Sequence, residues 1–534
     1  VRADPVERQV FANLLASVAE EMGAVLERAA ASTNIKERRD FSAAVFDARG
    51  RMVAQAAHIP VHLGSAPLSV RAALAALDLG PGDVALLNDP WGGGTHLPDL
   101  TLVAPVFLEG RRAFLVSTRA HHADVGGAAP GSMGLATEVF QEGVRIPPIR
   151  LVERGRWNRD ALRLFLANVR TPAEREVDLA AQVAAQVRGV ARLGELAERY
   201  GVRRLRAAAD DLLRTTGAAM RAELRRLPRG LFRFEDALED DGMGTGPIPI
   251  RVALRLGGGR AAIDFAGTHP QVPGPVNANR AITVSAVFYV FRCLLGFDVP
   301  TNEGLMAPLD VRAPEGSVVN ARFPAAVAGG NVETSQRIVD ALLGALHRAA
   351  PGRVPAASAG TMSNVTLGGT DAAGRPFTYY ETIGGGAGAS ARAPGLAAVQ
   401  THMTNTRNTP VEALELAYPL RVRAQAFRRG SGGAGARRGG DGLVRAFEFL
   451  VPTAVSLLGE RRRIGPWGAA GGAAGRPGRN RLGARGRLRA LPGKCAVRAR
   501  PGDRLSIETP GGGGHGGLSR RTRSVHSRAT GGKP

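Results

Sequence analysis

His96 and Asp99 stand three residues apart in Trp91-Gly92-Gly93-Gly94-Thr95-His96-Leu97-Pro98-Asp99, and His121 opens a second polar knot, His121-His122-Ala123-Asp124-Val125-Gly126-Gly127. With Asp40 upstream they offer two imidazoles and two carboxylates. Such a mixed nitrogen and oxygen donor set suits Zn²⁺, Mn²⁺ or Fe²⁺, and an incomplete protein shell leaves room for water or substrate. A metal held in that way polarises a carbonyl and makes bound water more acidic. Pro98 argues against a helical pairing of His96 with Asp99, so a turn must bring them to one ion. His121 and His122, adjacent on a strand, point to opposite faces; one is a candidate ligand and the other a wall or core residue. Each motif also has a structural alternative. Asp89 fits a turn former after Asn88, and Asp124 fits either a carboxylate that orients a liganding imidazole or an Asx turn before Gly126.

The elements that must position these groups are legible in part. Asp4, Pro5 and Glu7 signal a helix start, and Val10, Leu14, Val18, Met22 and Val25 follow at helical spacing. Residues 43–56 alternate as a hairpin that turns through Asp47-Ala48-Arg49-Gly50. A helix over 67–78 stops at Gly80-Pro81-Gly82, and apolar runs at 84–87, 101–108 and 113–117 read as strands. The His96 and His121 motifs therefore fall at strand ends, where sites are commonly built. Thr171-Pro172-Ala173-Glu174 opens a helix with Leu179, Val183, Val187 and Val190 on one face, and a further helix spans 203–227. Ile248, Ile250, Val252, Leu254 and Leu256 alternate as a strand that pairs with 261–266. Residues 281–296 form an apolar helix or a buried strand, and 446–452 and 504–508 read as strands. The expectation is a multidomain α+β protein: a metal-binding α/β region over 1–230, a middle α+β region over 231–425, a Gly- and Arg-rich β region over 426–517, and a disordered, dispensable basic tail over 518–534.

Composition narrows the function. The 534 residues carry a formal charge of +23, most of it after residue 427 and almost all of it arginine, since lysine occurs only at 36, 494 and 533. No aromatic residues interleave with that basic stretch as a single-strand stacking platform requires, so specific nucleic-acid binding is not expected. No apolar run reaches the roughly 18 residues of a membrane span. The N-terminal residues lack the apolar core of a signal peptide, and Cys293 and Cys495 cannot build a disulfide framework or a thiolate metal site; a cytoplasmic location is expected.

Three glycine-rich segments, Gly384–Gly388, Ser431–Gly435 and Gly511–Gly514, invite a nucleotide reading. A P-loop needs Gly-Lys-Ser/Thr at the start of a helix, and no lysine stands in that context. Asn331–Arg337 and Thr401–Asn408 are dense in small polar groups, which tie loops together or bind polar substrates.

Taken in order, these segments resemble the hydantoinase B/oxoprolinase family. The matching strings are Glu37-Arg38-Arg39-Asp40-Phe41-Ser42, Ala54–Gly64 with its His58-Ile59-Pro60-Val61-His62 core, Leu87-Asn88-Asp89-Pro90, and Gly94-Thr95-His96-Leu97-Pro98-Asp99. They continue with Arg119–Gly127, Phe140-Gln141-Glu142-Gly143, Asp264–Thr268, Gly329–Ser335, Tyr379–Gly386 and Thr509–Gly514. After Gly514 the chain departs from the family's usual acidic end, reading Leu518-Ser519-Arg520-Arg521-Thr522-Arg523, and no function is drawn from that segment.

The resemblance implies the B subunit of a two-component, ATP-dependent enzyme that opens cyclic amides such as hydantoins, 5-oxoproline or lactams. It implies metal ligands at His96, Asp99 and His121, with Asp40 as a fourth, and ATP with Mg²⁺ on a hydantoinase A-like partner in a hetero-oligomer. The chemistry is coherent: an unstrained amide is resonance-stabilised, and phosphorylating its oxygen supplies the leaving group that water attack needs. The alternatives are the metal subunit of a ketone carboxylase and a non-catalytic scaffold for the ATPase subunit.

Overall fold

Alternation along a single strand sets the architecture of the N-terminal half. In β1 (Phe41–Asp47), Phe41, Ala43 and Val45 face one apolar core while Ala44 and Phe46 face another. The hairpin to β2 (Met52–Gln55) forms as expected, and Asp47 closes its turn by accepting from the Arg49 and Arg51 amides. β3 (Val84–Leu87), β4 (Asp99–Leu108), β5 (Arg111–His121), β6 (Ile149–Glu153) and β7 (Arg156–Trp157) complete an antiparallel seven-stranded sheet in the order β2-β1-β5-β4-β3-β6-β7. Its strands are buried on both sides, which is why they read as apolar runs rather than clean alternation. The computed structural model describes residues 4–56, 58–484 and 487–517. The basic tail expected over 518–534 lies outside the described residues.

One face of this sheet is covered by α1 (Pro5–Ala29) and, after the short α2 (Thr33–Lys36), α3 (Ala66–Ala76) and α4 (Arg159–Leu166), by α5 (Pro172–Tyr200). Asp4 caps α1 by accepting from the Val6 amide at 3.1 Å. The buried stripe of α1 is Phe11, Leu15, Val18, Met22 and Leu26, rotated from the expected one; Val10 is exposed. α5 differs more. Val187 points to solvent, and the face against the sheet carries Gln182 and Gln186, whose amides donate to the β4 carbonyls of Leu100 and Leu102 at 3.1 and 2.9 Å. Such buried amides are tolerated because they are hydrogen-bonded. α6 (Val202–Arg225) follows.

The second sheet, in the order β11-β10-β9-β8, is built from β8 (Gly230–Leu238), β9 (Ile248–Gly257), β10 (Arg260–Asp264) and β11 (Leu309–Arg312). The five apolar residues of β9 are all buried as their alternation predicts. The segment at 281–296 is helical, α7 (Arg280–Arg292). A π-helical turn, Gly330–Thr334, leads directly into α8 (Ser335–Ala349), a helix sunk in the core against α7, β8 and β9. Burying each large apolar side chain in such a core is worth about 1.5–3 kcal/mol.

The remaining strands are β12 (Asn364–Thr370), β13 (Pro376–Glu381), β14 (Leu420–Arg428), β15 (Gly442–Phe449), β16 (Thr453–Leu458), β17 (Arg479–Ala484), β18 (Arg487–Leu491), β19 (Lys494–Ala499) and β20 (Arg504–Glu508). They form two sheets, β13-β12-β16-β19 and β14-β15-β20-β17-β18. The first joins segments from both sides of residue 425. The whole is an α+β protein. No described helix is long and apolar enough to cross a membrane.

The glycine-rich segments pack against one another as extended backbone. Gly386 donates to Pro510 O, Gly512 to Gly440 O, Gly433 to Gly512 O and Gly514 to Ala473 O, all at 2.8–3.0 Å. A Cβ on Gly512 would sit 2.0 Å from Ala387 O. Close approach of neighbouring backbones is what these glycines permit.

Candidate metal centre

Asp99 is the first residue of β4 and His121 the last of β5, and the two are direct partners in the ladder. His96 joins them through a turn closed by Asp99 N–H donating to His96 O at 3.1 Å, as Pro98 requires. The loop before it is held tightly. Gly93 has φ +89°, and a Cβ there would meet the Leu68 backbone at 2.6 Å. Ser69 Oγ donates to Gly93 O, Asn88 Nδ2 to Leu97 O and Asn279 Nδ2 to Thr95 O, at 2.6–2.8 Å. Beneath them the buried Arg119 guanidinium donates to Ser65, Ser69 and Thr101.

The facing atoms are His96 Nε2, 3.0 Å from Asp99 Oδ1, and His121 Nδ1, 3.4 Å from the same oxygen. These three residues present ligand atoms within 4.8 Å of one another, and all three are buried. Asp40 lies alongside but is not one of the three. Its backbone oxygen accepts from His121 N at 3.0 Å, and its carboxylate is 3.7 Å from the Arg38 guanidinium. The broad outer cleft between α1 and α6 is lined by mutually paired charges, among them Arg8, Arg51, Asp210 and Asp211, and by none of these ligands.

Electrostatics put the trio in its metal-binding form. Burial works to raise the Asp99 carboxyl, but the His96 and His62 imidazoles outweigh it and hold it well below the usual carboxylate range. Burial pulls His121 below an ordinary imidazole, despite Asp99 and Asp40 beside it. Burial raises Asp40, only partly offset by His121 and Arg38. An ionised carboxylate between neutral imidazole lone pairs is the state that ligates a divalent ion. The donor set and its burial therefore fit a transition metal.

Four contributors were not singled out from sequence. Thr95 Oγ1 donates to Asp99 Oδ2 at 2.6 Å. His62 Nε2 lies 3.3 Å from the same oxygen, and its Nδ1 is 2.8 Å from Ser42 Oγ. Ser42 Oγ already accepts from Ile59 N, so its hydroxyl proton is free for His62 Nδ1, and His62 Nε2–H then points at Asp99. Asn331 Nδ2 touches His96 Nε2 at 3.1 Å, and the Tyr380 ring stacks on His121 at 4.4 Å and 14°. His62, Asn331 and Tyr380 sit far from the ligands in sequence; their polar or aromatic strings are the sole signal. The other sequence alternatives resolve structurally. His122 faces α5 and bonds Gln182 at 2.9 Å. Asp124 makes the Asx turn, accepting from Gly126 and Gly131 amides and from Arg170. Asp89 is a turn former, accepting from the Trp91 amide.

The pattern of the hydantoinase B/oxoprolinase family matches residues 4–518. The chain belongs to that family. It is 40% identical to 5-oxoprolinase 1 of Arabidopsis thaliana over 96% of this chain, though it spans only 42% of that relative's length. Among solved structures it is similar to an ATP-dependent caprolactamase from Pseudomonas jessenii, with TM-score 0.91, 31% identity, and coverage of 99% of this chain and 94% of that one. It also shares its fold with an acetone carboxylase chain, at TM-score 0.88 and 19% identity over 99% of this chain and 78% of that one. In this hydantoinase B/oxoprolinase chain the strings that carried the resemblance converge: Arg38, Asp40, His62, Asn331 and Tyr380 all surround the three ligands.

Proposed function

We propose that this chain is the metal-holding, ring-opening part of an ATP-dependent cyclic-amide hydrolase and acts with a separate ATP-binding subunit. The observation that carries the reading is the buried convergence of His96, Asp99 and His121 in a chain 31% identical to a caprolactamase. Partner dependence is supported by length: the chain spans 42% of 5-oxoprolinase 1, leaving more than half of that relative outside the match.

His96, Asp99 and His121 would hold the ion, with Asp40 as a fourth ligand or as a carboxyl beside it. A divalent transition metal there supplies Lewis-acid polarisation and makes water acidic enough to attack near neutral pH. The chain's own residues prepare that step. Thr95 and His62 both donate to Asp99 Oδ2, which leaves Oδ1 turned toward the imidazoles. His62 keeps its proton on Nε2 and so fixes the carboxylate plane. The buried surroundings lower the local dielectric and strengthen each charge interaction. Asp40, with its raised affinity for a proton, is placed to take one from attacking water or give one to the departing ring nitrogen. The partner would phosphorylate the amide oxygen, turning a poor leaving group into a good one.

The test is reconstitution of the chain with its ATP-binding subunit, assayed against lactams, hydantoins and ketones with ATP, with and without bicarbonate. Ring opening coupled to ATP hydrolysis and indifferent to bicarbonate is the expected result. Bicarbonate-dependent consumption of a ketone with no ring opening would replace hydrolysis by carboxylation.

A further inference from the structure

We infer that the π-helical turn Gly330–Thr334 is the element that orients both imidazoles of the centre, through Asn331 on His96 and through Glu333, Asn364 and Tyr380 on His121. The inference rests on the metal-centre reading above and adds three positioning residues to it.

The first arm is direct. Asn331 Nδ2 lies 3.1 Å from His96 Nε2, and the Asn331 side chain is buried with its Oδ1 unpartnered among the described residues. The second arm has three links. Glu333 Oε1 accepts from Asn364 Nδ2 at 2.7 Å and from Met362 N at 3.0 Å. Asn364 Oδ1 accepts from Tyr380 Oη at 2.8 Å. The Tyr380 ring then lies flat on the His121 imidazole, centroids 4.4 Å apart and planes 14° from parallel. The Arg38 guanidinium lies 5.0 Å from the Tyr380 ring centroid and donates to the Tyr380 carbonyl.

Geometry explains why a π-helical turn is used. In a regular α-helix, residues 331 and 333 are two positions apart and diverge by about 200° around the axis. The wider turn carries both inward at the point where the backbone enters α8, and such turns recur at functional sites. Every residue of it is buried, and the Cβ position of Gly330 is filled by the Asn277 carbonyl, 1.8 Å away, so the turn has no freedom to shift. A flat aromatic stack restricts rotation of His121 about its own axis, and the Tyr380 hydroxyl, tied to Asn364, keeps the ring from sliding. His121 Nε2 has no hydrogen-bond partner among the described residues, so no hydrogen bond on that nitrogen holds the ring; stacking takes that role.

The test is a Co²⁺ titration of the metal-free full chain, read by visible absorption, for wild type, Glu333→Gln, Glu333→Leu and Tyr380→Phe. Glu333→Gln keeps the acceptor oxygen and is expected to bind within a few-fold of wild type. Glu333→Leu and Tyr380→Phe are expected to bind roughly 10- to 100-fold more weakly, with a shifted cobalt band. Tyr380→Phe keeps the ring and its burial, so its melting temperature with excess chelator is expected to stay near wild type. It carries the test alone if Glu333→Leu does not fold. Wild-type affinity and spectrum in Tyr380→Phe would overturn the inference, as would a Glu333→Gln protein as impaired as Glu333→Leu, which would mean that charge and not the hydrogen bond matters. A wild-type chain that takes up no Co²⁺ would instead remove the metal centre itself, and this inference with it.

Discussion

Asp99 and His121 are paired residues of one ladder, the first of β4 and the last of β5, with side chains 3.4 Å apart on the same side of the sheet end. Two donors of a metal site thus share a rigid backbone frame, and only His96 has to be delivered by a loop. Sites built on strands hold geometry better than sites built on loops alone.

His96→Ala and Asp99→Ala test this frame directly. Wild type is expected to carry close to one transition-metal ion per chain by elemental analysis, and each variant to lose it on dialysis. Both variants retaining a full complement would sink the site.

Asp40 stands beside the three converging ligands and is not grouped with them. Asp40→Asn is expected to weaken Co²⁺ affinity by at least about tenfold if Asp40 is a fourth ligand, the range seen when supporting groups are lost. Unchanged affinity combined with lost turnover would place it on the substrate side instead.

Reliance on a partner has its own measurement. The purified chain is expected to neither hydrolyse ATP nor open a ring, and co-expression with the ATP-binding subunit is expected to give a stable hetero-oligomer by size-exclusion chromatography. ATP-coupled turnover by this chain alone would refute the division of labour.

Glu142 provides a pH signature. Its Oε1 accepts from the Val327 and Ala328 amides, and burial pushes its carboxyl from 4.5 up to about 8. The folded state then holds a proton that the unfolded chain releases, so the stability it contributes is present below about pH 4.5 and is lost as pH rises toward 8. The expected slope for this one proton is at most about 1.4 kcal/mol per pH unit. Glu142→Gln keeps the acceptor and cannot ionise. Its melting temperature should fall less than that of wild type between pH 5 and pH 8; parallel curves would show that Glu142 does not titrate there.

Gly512→Ala probes the glycine packing. The added methyl would lie 2.0 Å from Ala387 O, a backbone atom that cannot swing aside. A loss of about 1–3 kcal/mol or more is expected, seen as a lower urea midpoint. An unchanged midpoint would mean the neighbouring strands can part.

Much of this protein is determined by local sequence. The hairpin at 43–56, the strands at 84–87 and 101–108, the helix starts at Pro5 and Pro172 and the alternation of β9 are all set by neighbours within a few residues, and all are observed. Local sequence also identifies the turn at Pro98 and the three ligands His96, Asp99 and His121, because chemical type and spacing are readable in one dimension. Tertiary structure decided the rest. It rotated the buried stripe of α1 from Val10 to Phe11 and turned Gln182 and Gln186 of α5 inward, because hydrogen bonding to β4 carbonyls outweighs the cost of burying amides. It assigned Asp124 to a turn and His122 to α5. It also brought His62, Asn331 and Tyr380 to the ligands across gaps of 25 to 289 residues. No periodicity encodes such contacts, since they depend on which surfaces pack once separate sheets and helices close over a common core.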